Sequence, residues 1–328
     1  MTFENIFVTG GAGYVGAVLV PRLLDEGYRV TVFDLMIYGE HVLPDHPHLR
    51  IIKGDIRDQS LLEKILPGHD AVIHLACISN DPSFELNRNL GKSINLDAFS
   101  PLVVISRRSG VARFIYASSS SVYGIKEEKD VHEGMTLEPL TDYSRFKADC
   151  EQILIEHELP DFTTVTIRPA TVCGYSPRQR LDVVVNILTN LAYHNREITI
   201  FGGEQLRPNI HIQDMIESYL AVLDAPRDQV AGKIFNVGYE NQSVRDIAET
   251  VKDVVGEDVR LVTTATDDNR SYHISSQKIR QDLGFEARHT IREAVTDLLE
   301  AFEKSQLPNS LENEIYFNIR RMQSLNLQ

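Results

Sequence analysis

The 328-residue sequence predicts an α/β fold, a doubly wound parallel sheet joined to a second, smaller mixed α/β lobe. Three observations predict it. Short runs of β-branched and aromatic residues alternate with amphipathic stretches through the first half, the pattern of strand, crossover helix and parallel strand. One such run, Ala71 to Ala76 (AVIHLA), is almost continuously apolar, as expected of a strand buried on both faces. Glycines at 10, 13 and 16 sit where the first strand would hand over to the first helix.

Taken in order, Asn5 to Thr9 (NIFVT) reads as the first strand, and Tyr14 to Glu26 as a helix with Val15, Val18, Leu19 and Leu23 on one face. Tyr28 to Asp34, Leu49 to Gly54, Ala71 to Ala76, Arg113 to Ser118 and Thr163 to Arg168 read as five further strands. Helical spacing separates them near 59–66, 92–109 and 142–158. Beyond Pro169 the alternation loosens into a loop over 169–180, a helix from Leu181 to His194, a strand–turn from Ile198 to Gly203 and a short strand from Ile234 to Val237. The expected division is a dinucleotide-binding domain over 1–167 and a capping lobe over 168–328, with a segment near 208–225 returning to the first domain.

Composition narrows the function. With 42% hydrophobic residues the chain can bury a large core, and a formal charge of −14 disfavours a nucleic-acid surface. Cys77, Cys150 and Cys173 are too few and too scattered for a disulfide framework or a zinc site, so no metal is expected and a reduced cytoplasm is the simplest setting. The first residues carry Glu4 and read as a strand, unlike a signal peptide, and no apolar run reaches the roughly 18 residues of a membrane span.

The segment Thr9-Gly10-Gly11-Ala12-Gly13-Tyr14-Val15-Gly16 has the glycines that a tight turn, a close backbone approach to a pyrophosphate and close helix packing require. The N–H groups of the following helix then face the phosphates. Such a loop marks the dinucleotide-binding (Rossmann) form of the fold. Asp34 ends the second strand, eighteen residues after Gly16, where a carboxylate accepts from the adenosine ribose and repels a 2′-phosphate; this favours NAD over NADP. Asp55, in the turn after the third strand, falls where the adenine edge would lie, although alone it resembles any turn acid.

Tyr143 and Lys147 fall at i and i+4 on one helix face. A phenol ionises near pH 10, but one positive charge about 5 Å away contributes on the order of 3 kcal/mol at an effective dielectric near 20, roughly two pKa units. A lysine together with an oxidised nicotinamide would bring Tyr143 into the range of a general acid/base. The pair alone also describes an ordinary polar helix face. The run Ala117-Ser-Ser-Ser-Ser-Val-Tyr-Gly124 breaks the tie, because it follows the fifth strand at the carboxyl edge of the sheet, where ligands of open α/β sheets bind.

These motifs in this order resemble the extended short-chain dehydrogenase/reductase family, in particular its nucleotide-sugar epimerases and dehydratases. The pieces that carry the resemblance are TGGAGYVG (9–16), Asp34, GDIRD (54–58), HLA (74–76), Asn95, SSSSVYG (118–124), YSRFK (143–147), IRP (167–169), RPNIHIQD (207–214) and DNRSYHISSQKI (268–279). The resemblance implies an NAD enzyme with Tyr143 as base, Lys147 as its cofactor-ribose partner and Ser119 holding the reacting sugar hydroxyl. It implies cofactor contacts from Gly10, Gly13, Tyr14, Val15, Gly16, Asp34, Asp55, Ile56, Leu75, Ala76, Asn95 and Pro169. It also implies a nucleotide-diphosphate sugar against Ser79, Ser119, Ser120 and Thr171, its diphosphate gripped by Arg207 and Arg270. Arg178, Arg180 and Asn186 are candidates for the nucleotide pocket, though an exposed loop and helix face would read the same way. A homodimer through the helices near 92–109 and 142–158 is the family's assembly.

Departures from the pattern narrow the expected reaction. Family dehydratases carry Asp-Glu just after the catalytic threonine, whereas here those positions are Ser120 and Ser121. The glutamate usual in sugar-acid decarboxylases is also missing, and the remaining expectation is a 4-epimerase. A 4-keto-sugar reductase on the same scaffold, and a non-catalytic dinucleotide sensor, are the alternatives. Thr171 stands where 4-epimerases often carry asparagine, Cys173 where tyrosine is usual and Cys77 where a small residue is usual.

Overall fold

The computed structural model describes residues 3–79, 81–128, 130–266, 271, 273–325 and 327. Its first lobe starts with β1 (Asn5–Thr9), α1 (Gly16–Asp25), β2 (Arg29–Asp34), β3 (Leu49–Lys53), α2 (Gln59–Ile65) and β4 (Ala71–His74). Then come α3 (Asp81–Glu85), α4 (Arg88–Lys92), α5 (Phe99–Arg108), β5 (Arg113–Ala117), α6 (Asp142–Ile155) and β6 (Thr163–Pro169). The rest comprises β7 (Thr171–Cys173), α7 (Val184–Asn195), β8 (Glu197–Phe201), β9 (Leu206–His211), α8 (Ile212–Asp224), α9 (Arg227–Val230), β10 (Lys233–Val237) and β11 (Glu240–Ser243). It continues through α10 (Val244–Val255), β12 (Arg260–Thr264), α11 (Gln277–Leu283), α12 (Ile291–Glu303) and α13 (Asn318–Leu325).

The main sheet has seven strands in the order β10-β6-β5-β4-β1-β2-β3, and every pairing is parallel. The order reverses between β1 and β4, so a crevice opens there at the carboxyl edge, the general ligand site of doubly wound sheets. All four residues of β4 are buried, in keeping with its apolar sequence. The expected doubly wound parallel sheet is present.

Two features differ from the sequence reading. First, β10, assigned above to the capping lobe, is the seventh strand of the main sheet, with Ile234 opposite Thr166 and Phe235 opposite Ile167. Its short apolar run gave no sign of which sheet it would join. Helix α8 lies within the segment expected to return to the first lobe, and its Met215, Ile216, Tyr219 and Leu223 share a core with Ile6, Val8 and Ile73. Arg113, at the start of β5, fixes its end by donating to the carbonyls of Val222, Leu223 and Ala225 at 2.6–3.0 Å. Second, the helix expected over 92–109 is broken by a π-helical turn at Ser93–Asp97. The wider turn points Asn95 inward, where its amide accepts from the Ile78 N–H at 2.8 Å and donates to the Ile78 carbonyl at 2.9 Å.

The second lobe packs α7, α10 and α12 around β8 and β12, with Val185, Leu188, Ile198, Ile200, Ile247, Val251 and Val295 in its core. A three-stranded sheet, β11-β9-β7, lies beside it. None of the described helices is long and apolar enough to cross a membrane, and no described cluster of His, Cys, Asp and Glu is arranged to hold a metal ion.

His74 closes β4 beneath the crevice, its Nδ1 2.7 Å from the Thr9 hydroxyl. Burial first, and the Lys147 charge second, push its pKa down to about 3. The unfolded chain therefore takes up a proton near the usual imidazole pKa that the folded chain refuses, and stability falls as pH drops below that value. Between about pH 7 and about pH 5 this group alone removes about 2 kcal/mol, and less if the denatured chain shields it. Urea unfolding of wild type and His74→Gln at both pH values is expected to show that slope in the wild type only; equal slopes would assign acid sensitivity to other groups.

Candidate functional site

A cavity of about 370 Å3 lies between the lobes at the carboxyl edge of the main sheet. The glycine loop forms its floor. Gly10 has φ +71°, and a Cβ there would stand 2.5 Å from the Ala76 nitrogen, while a Cβ on Gly16 would stand 2.5 Å from the Gly11 carbonyl oxygen. No side chain fits in either place, so the loop stays bare and its backbone is open to a ligand. Asp34 braces it, accepting from the Ala12 N–H at 3.0 Å with one oxygen and from the Met36 N–H at 2.7 Å with the other. Burial pushes the Asp34 carboxyl up, while those two N–H groups and the Arg178 charge pull it back. This bare cradle with a carboxylate at its edge is the shape and chemistry a dinucleotide requires.

Tyr14 joins the loop to the second lobe. Its hydroxyl donates to the Gly174 carbonyl at 2.7 Å and accepts from the Asn186 amide at 3.0 Å, and the Ser176 hydroxyl donates to the Tyr14 carbonyl at 2.8 Å. Asn186 is fully buried, and its Oδ1 accepts from the Gly174 N–H at 3.1 Å. It therefore acts as an internal strut and lies outside the cavity wall, unlike the pocket residue expected from its helix position.

On the opposite wall, Thr141 caps α6 and starts the helix with Tyr143 in its first turn. Tyr143, Lys147 and Glu151 follow at successive i+4 positions and share one face. The Lys147 ammonium donates to the Ala117 carbonyl at 2.6 Å and lies 5.9 Å from the centre of the Tyr143 ring. Glu151 is buried and paired with Arg168 at 2.6 Å, and it also accepts from the Ser118 hydroxyl. Arg168 donates to the Tyr123 hydroxyl at 2.7 Å, which donates in turn to Asn236 at 2.7 Å. One buried network thus fixes α6, the serine loop and the edge strand β10 relative to one another.

The Ser121 N–H donates to the Ser119 hydroxyl at 3.1 Å, and Ser119 and Tyr143 line the same cavity. Burial raises the Tyr143 pKa well above that of a free phenol, and the nearby Cys77 and Asp81 raise it further. The Arg180 charge and the neighbouring Ser119 hydroxyl act in the other direction. The protein alone therefore keeps this phenol protonated, because burial outweighs the neighbouring charges on which the sequence reading relied.

The structure brings most of the sequence candidates to this one cavity. Gly10, Gly13, Tyr14, Val15, Gly16, Asp34, Ile56, Leu75, Ala76 and Pro169, the candidates for cofactor contact, line its wall. Ser79, Ser119, Ser120, Tyr143, Lys147, Thr171 and Arg180 line the remainder, with Ser120 almost wholly buried. Three other candidates, besides Asn186, do not reach the wall. Asp55 is engaged by its neighbour Arg57, whose Nη2 lies 2.7 Å away. The Asn95 amide is committed to Ile78, and Arg207 sits on β9 with Nη1 donating to the Leu206 carbonyl at 3.0 Å. Arg270 lies outside the described residues. A second cavity, about 610 Å3, adjoins β10, but its wall of Asp130, His132, Glu133, Lys233 and Lys278 includes neither the glycine loop nor the Tyr–Lys pair.

Arg178, named above as a candidate for the nucleotide pocket, is on the wall; Tyr38 and the C-terminal residues are the part that sequence reading missed. Arg178 is buried, lies 3.5 Å over the Tyr38 ring and donates to Asn318 at 2.6 Å, and burial lowers its pKa to about 10. Asn318, Met322 and Leu327 come from the far C-terminus and also line the cavity. No local motif marks them, and their placement follows from contacts across more than a hundred residues, such as Arg178 to Asn318.

Comparison with known proteins follows the same lines. The model of the NAD dependent epimerase/dehydratase family matches residues 6–238. A dTDP-glucose 4,6-dehydratase of Streptomyces niveus is 26% identical over 325 residues, spanning 92% of this chain and 94% of the relative. A UDP-glucose 4-epimerase of Lactobacillus helveticus is 27% identical over 306 residues, spanning 87% and 92%. The solved structure of MoeE5 in complex with UDP-glucuronic acid and NAD superposes with a TM-score of 0.82 at 27% identity, covering 92% of this chain and all of that one.

Asp34 supplies the prediction for this site. Asp34→Ala removes a ribose acceptor and a brace of the glycine loop, so NAD affinity is expected to fall about tenfold or more while NADP affinity falls less. Equal losses for the two dinucleotides in a calorimetric titration would show that the carboxylate does not read the ribose.

Proposed function

The chain belongs to the NAD dependent epimerase/dehydratase family, and from that premise we propose that it is a nucleotide-sugar 4-epimerase. The observation that carries this reading is the missing carboxylate pair beside Ser119. Elimination of water across C5–C6 of a hexose needs an acid and a base at the sugar, and here Ser120 and Ser121 occupy those positions. The carboxylates among the described cavity-lining residues are Asp34 and Asp81. Asp34 is committed to the glycine loop, and Asp81 accepts from the Thr141 hydroxyl at 2.5 Å. Epimerisation at C4 needs only one proton-transfer group, and Tyr143 provides it.

In this reading Tyr143 takes the proton of the sugar 4-hydroxyl while Ser119 holds that hydroxyl in place. Lys147, tethered to Ala117, keeps a positive charge beside the phenol and has further N–H donors for a ribose. When bound over the glycine loop, NAD supplies a hydride acceptor that returns the hydride, and in its oxidised form a positive ring near Tyr143. The sugar must turn over between the two transfers, so its side of the cavity has to hold two orientations. Short hydroxyl side chains at Ser79, Ser119 and Thr171 suit that demand. Tyr143 then returns the proton to the 4-oxygen, and no net redox change occurs. The assignment of a diphosphate to Arg207 and Arg270, and of a homodimer to α5 and α6, belongs to the same proposal.

The test incubates the purified protein with UDP-, GDP-, CDP- and dTDP-sugars and follows the anomeric proton signals. A new sugar nucleotide without stoichiometric use of NAD is expected. Steady NADH consumption would replace the reading with a ketoreductase, and a dehydrated 4-keto product would replace it with a dehydratase. Tyr143→Phe is expected to lower kcat by about 10²–10⁴-fold while NAD binding persists; full activity in that variant would remove Tyr143 from the chemistry.

A further inference from the structure

The C-terminal segment leaves the second lobe, crosses the cleft and lands on the first. Its root is firmly packed: Tyr316 and Phe317 share a buried cluster with Leu181, Leu298, Phe302 and Leu307. The Leu181 N–H donates to the Tyr316 carbonyl at 2.8 Å, and the Asn190 amide donates to the Ser310 carbonyl at 3.0 Å. Its tip is held by a few polar bonds. Arg321 donates to the Ile37 carbonyl at 2.6 Å, just past the strand that ends in Asp34. Asn318 donates to the Ser79 hydroxyl at 2.8 Å and accepts from Arg178 at 2.6 Å. Between these bonds Met322 enters the apolar cluster of Phe33, Ile56 and Ile94.

Those three apolar residues also line the cavity, with Asp34 and Tyr38, so apolar surface and the carboxylate expected to read a ribose border one space. We propose that the segment Glu314–Leu325 is a strap over the adenosine end of the dinucleotide site, and that Asn318 and Arg321 set how long the cofactor stays bound. The strap is rooted in one lobe and fastened to the other by side chains that can let go without unfolding either core. The Nε of Arg178, buried without a hydrogen-bond partner among the described residues, is a donor that a polar ligand group at this spot would satisfy. A cofactor reoxidised in every cycle gains nothing from leaving, so slow release suits the reaction proposed above. The inference itself rests only on the cleft being the dinucleotide site.

The test measures release of bound NADH by stopped-flow fluorescence after mixing with excess NAD, using the full-length protein. Arg321→Ala is expected to speed release about tenfold, the size of one lost charge-assisted hydrogen bond. Arg321→Lys, which retains a donor for the Ile37 carbonyl, should recover part of the loss. Asn318→Ala provides a second, independent variant should Arg321→Ala fail to fold. Release within about twofold of wild type in the folded variants would overturn the strap while leaving the epimerase reading standing. A wild-type protein that takes up no NADH would overturn both. Conversion of a sugar nucleotide with rapid NADH exchange would overturn the strap alone.

Discussion

The Tyr143 phenol is held where its neutral form is favoured, and this electrostatic constraint organises the rest of the cleft. Burial raises its pKa, and Cys77 and Asp81 raise it further. Only positive charge close by, in a medium poorer than water at screening, reverses that preference. A unit charge at 5.9 Å, the distance of the Lys147 ammonium from the ring, is worth about 3 kcal/mol at an effective dielectric near 20. Lys147, together with the Arg180 charge, opposes the effect of burial without abolishing it. In the proposed reaction a further positive charge arrives with the oxidised dinucleotide, so the base becomes competent only when the hydride acceptor is in place.

Such a balance holds only if the groups cannot drift, and the fold supplies the rigidity. The face of α6 that bears Tyr143 and Lys147 also bears Glu151, whose ion pair with Arg168 is buried and extends through Tyr123 to Asn236. A buried pair of this kind adds little net stability, because desolvation consumes most of the attraction, but breaking it leaves an uncompensated charge. Its contribution here is register: α6, the serine loop and β10 are fixed together. On the opposite side Tyr14 performs the corresponding task between the glycine loop and the second lobe.

What could be read in the sequence was what local geometry dictates. The glycine loop is legible because Gly10 and Gly16 exclude a Cβ over a few residues of chain. Tyr143 and Lys147 are legible because helix periodicity alone puts them on one face, and the buried strand β4 because both its faces are apolar. The candidates set inside the protein have a common cause. Asn186 and Asn95 are polar residues at positions where a ligand and a protein backbone offer the same hydrogen bonds, and only the fold shows that Gly174 and Ile78 take them. Likewise β10 has an unremarkable strand sequence, and its place in the main sheet follows from pairing with a strand some seventy residues earlier. The contribution of Asn318 and Met322 to the cavity wall depends wholly on tertiary packing.

The most direct measurement is an ultraviolet difference titration of the phenolate, wild type minus Tyr143→Phe, with NAD bound and again with NADH bound. The account predicts that the Tyr143 phenolate appears at least about one pH unit lower with the oxidised form, because only that form adds a positive charge beside the ring. Coincident titrations in the two redox states would contradict it.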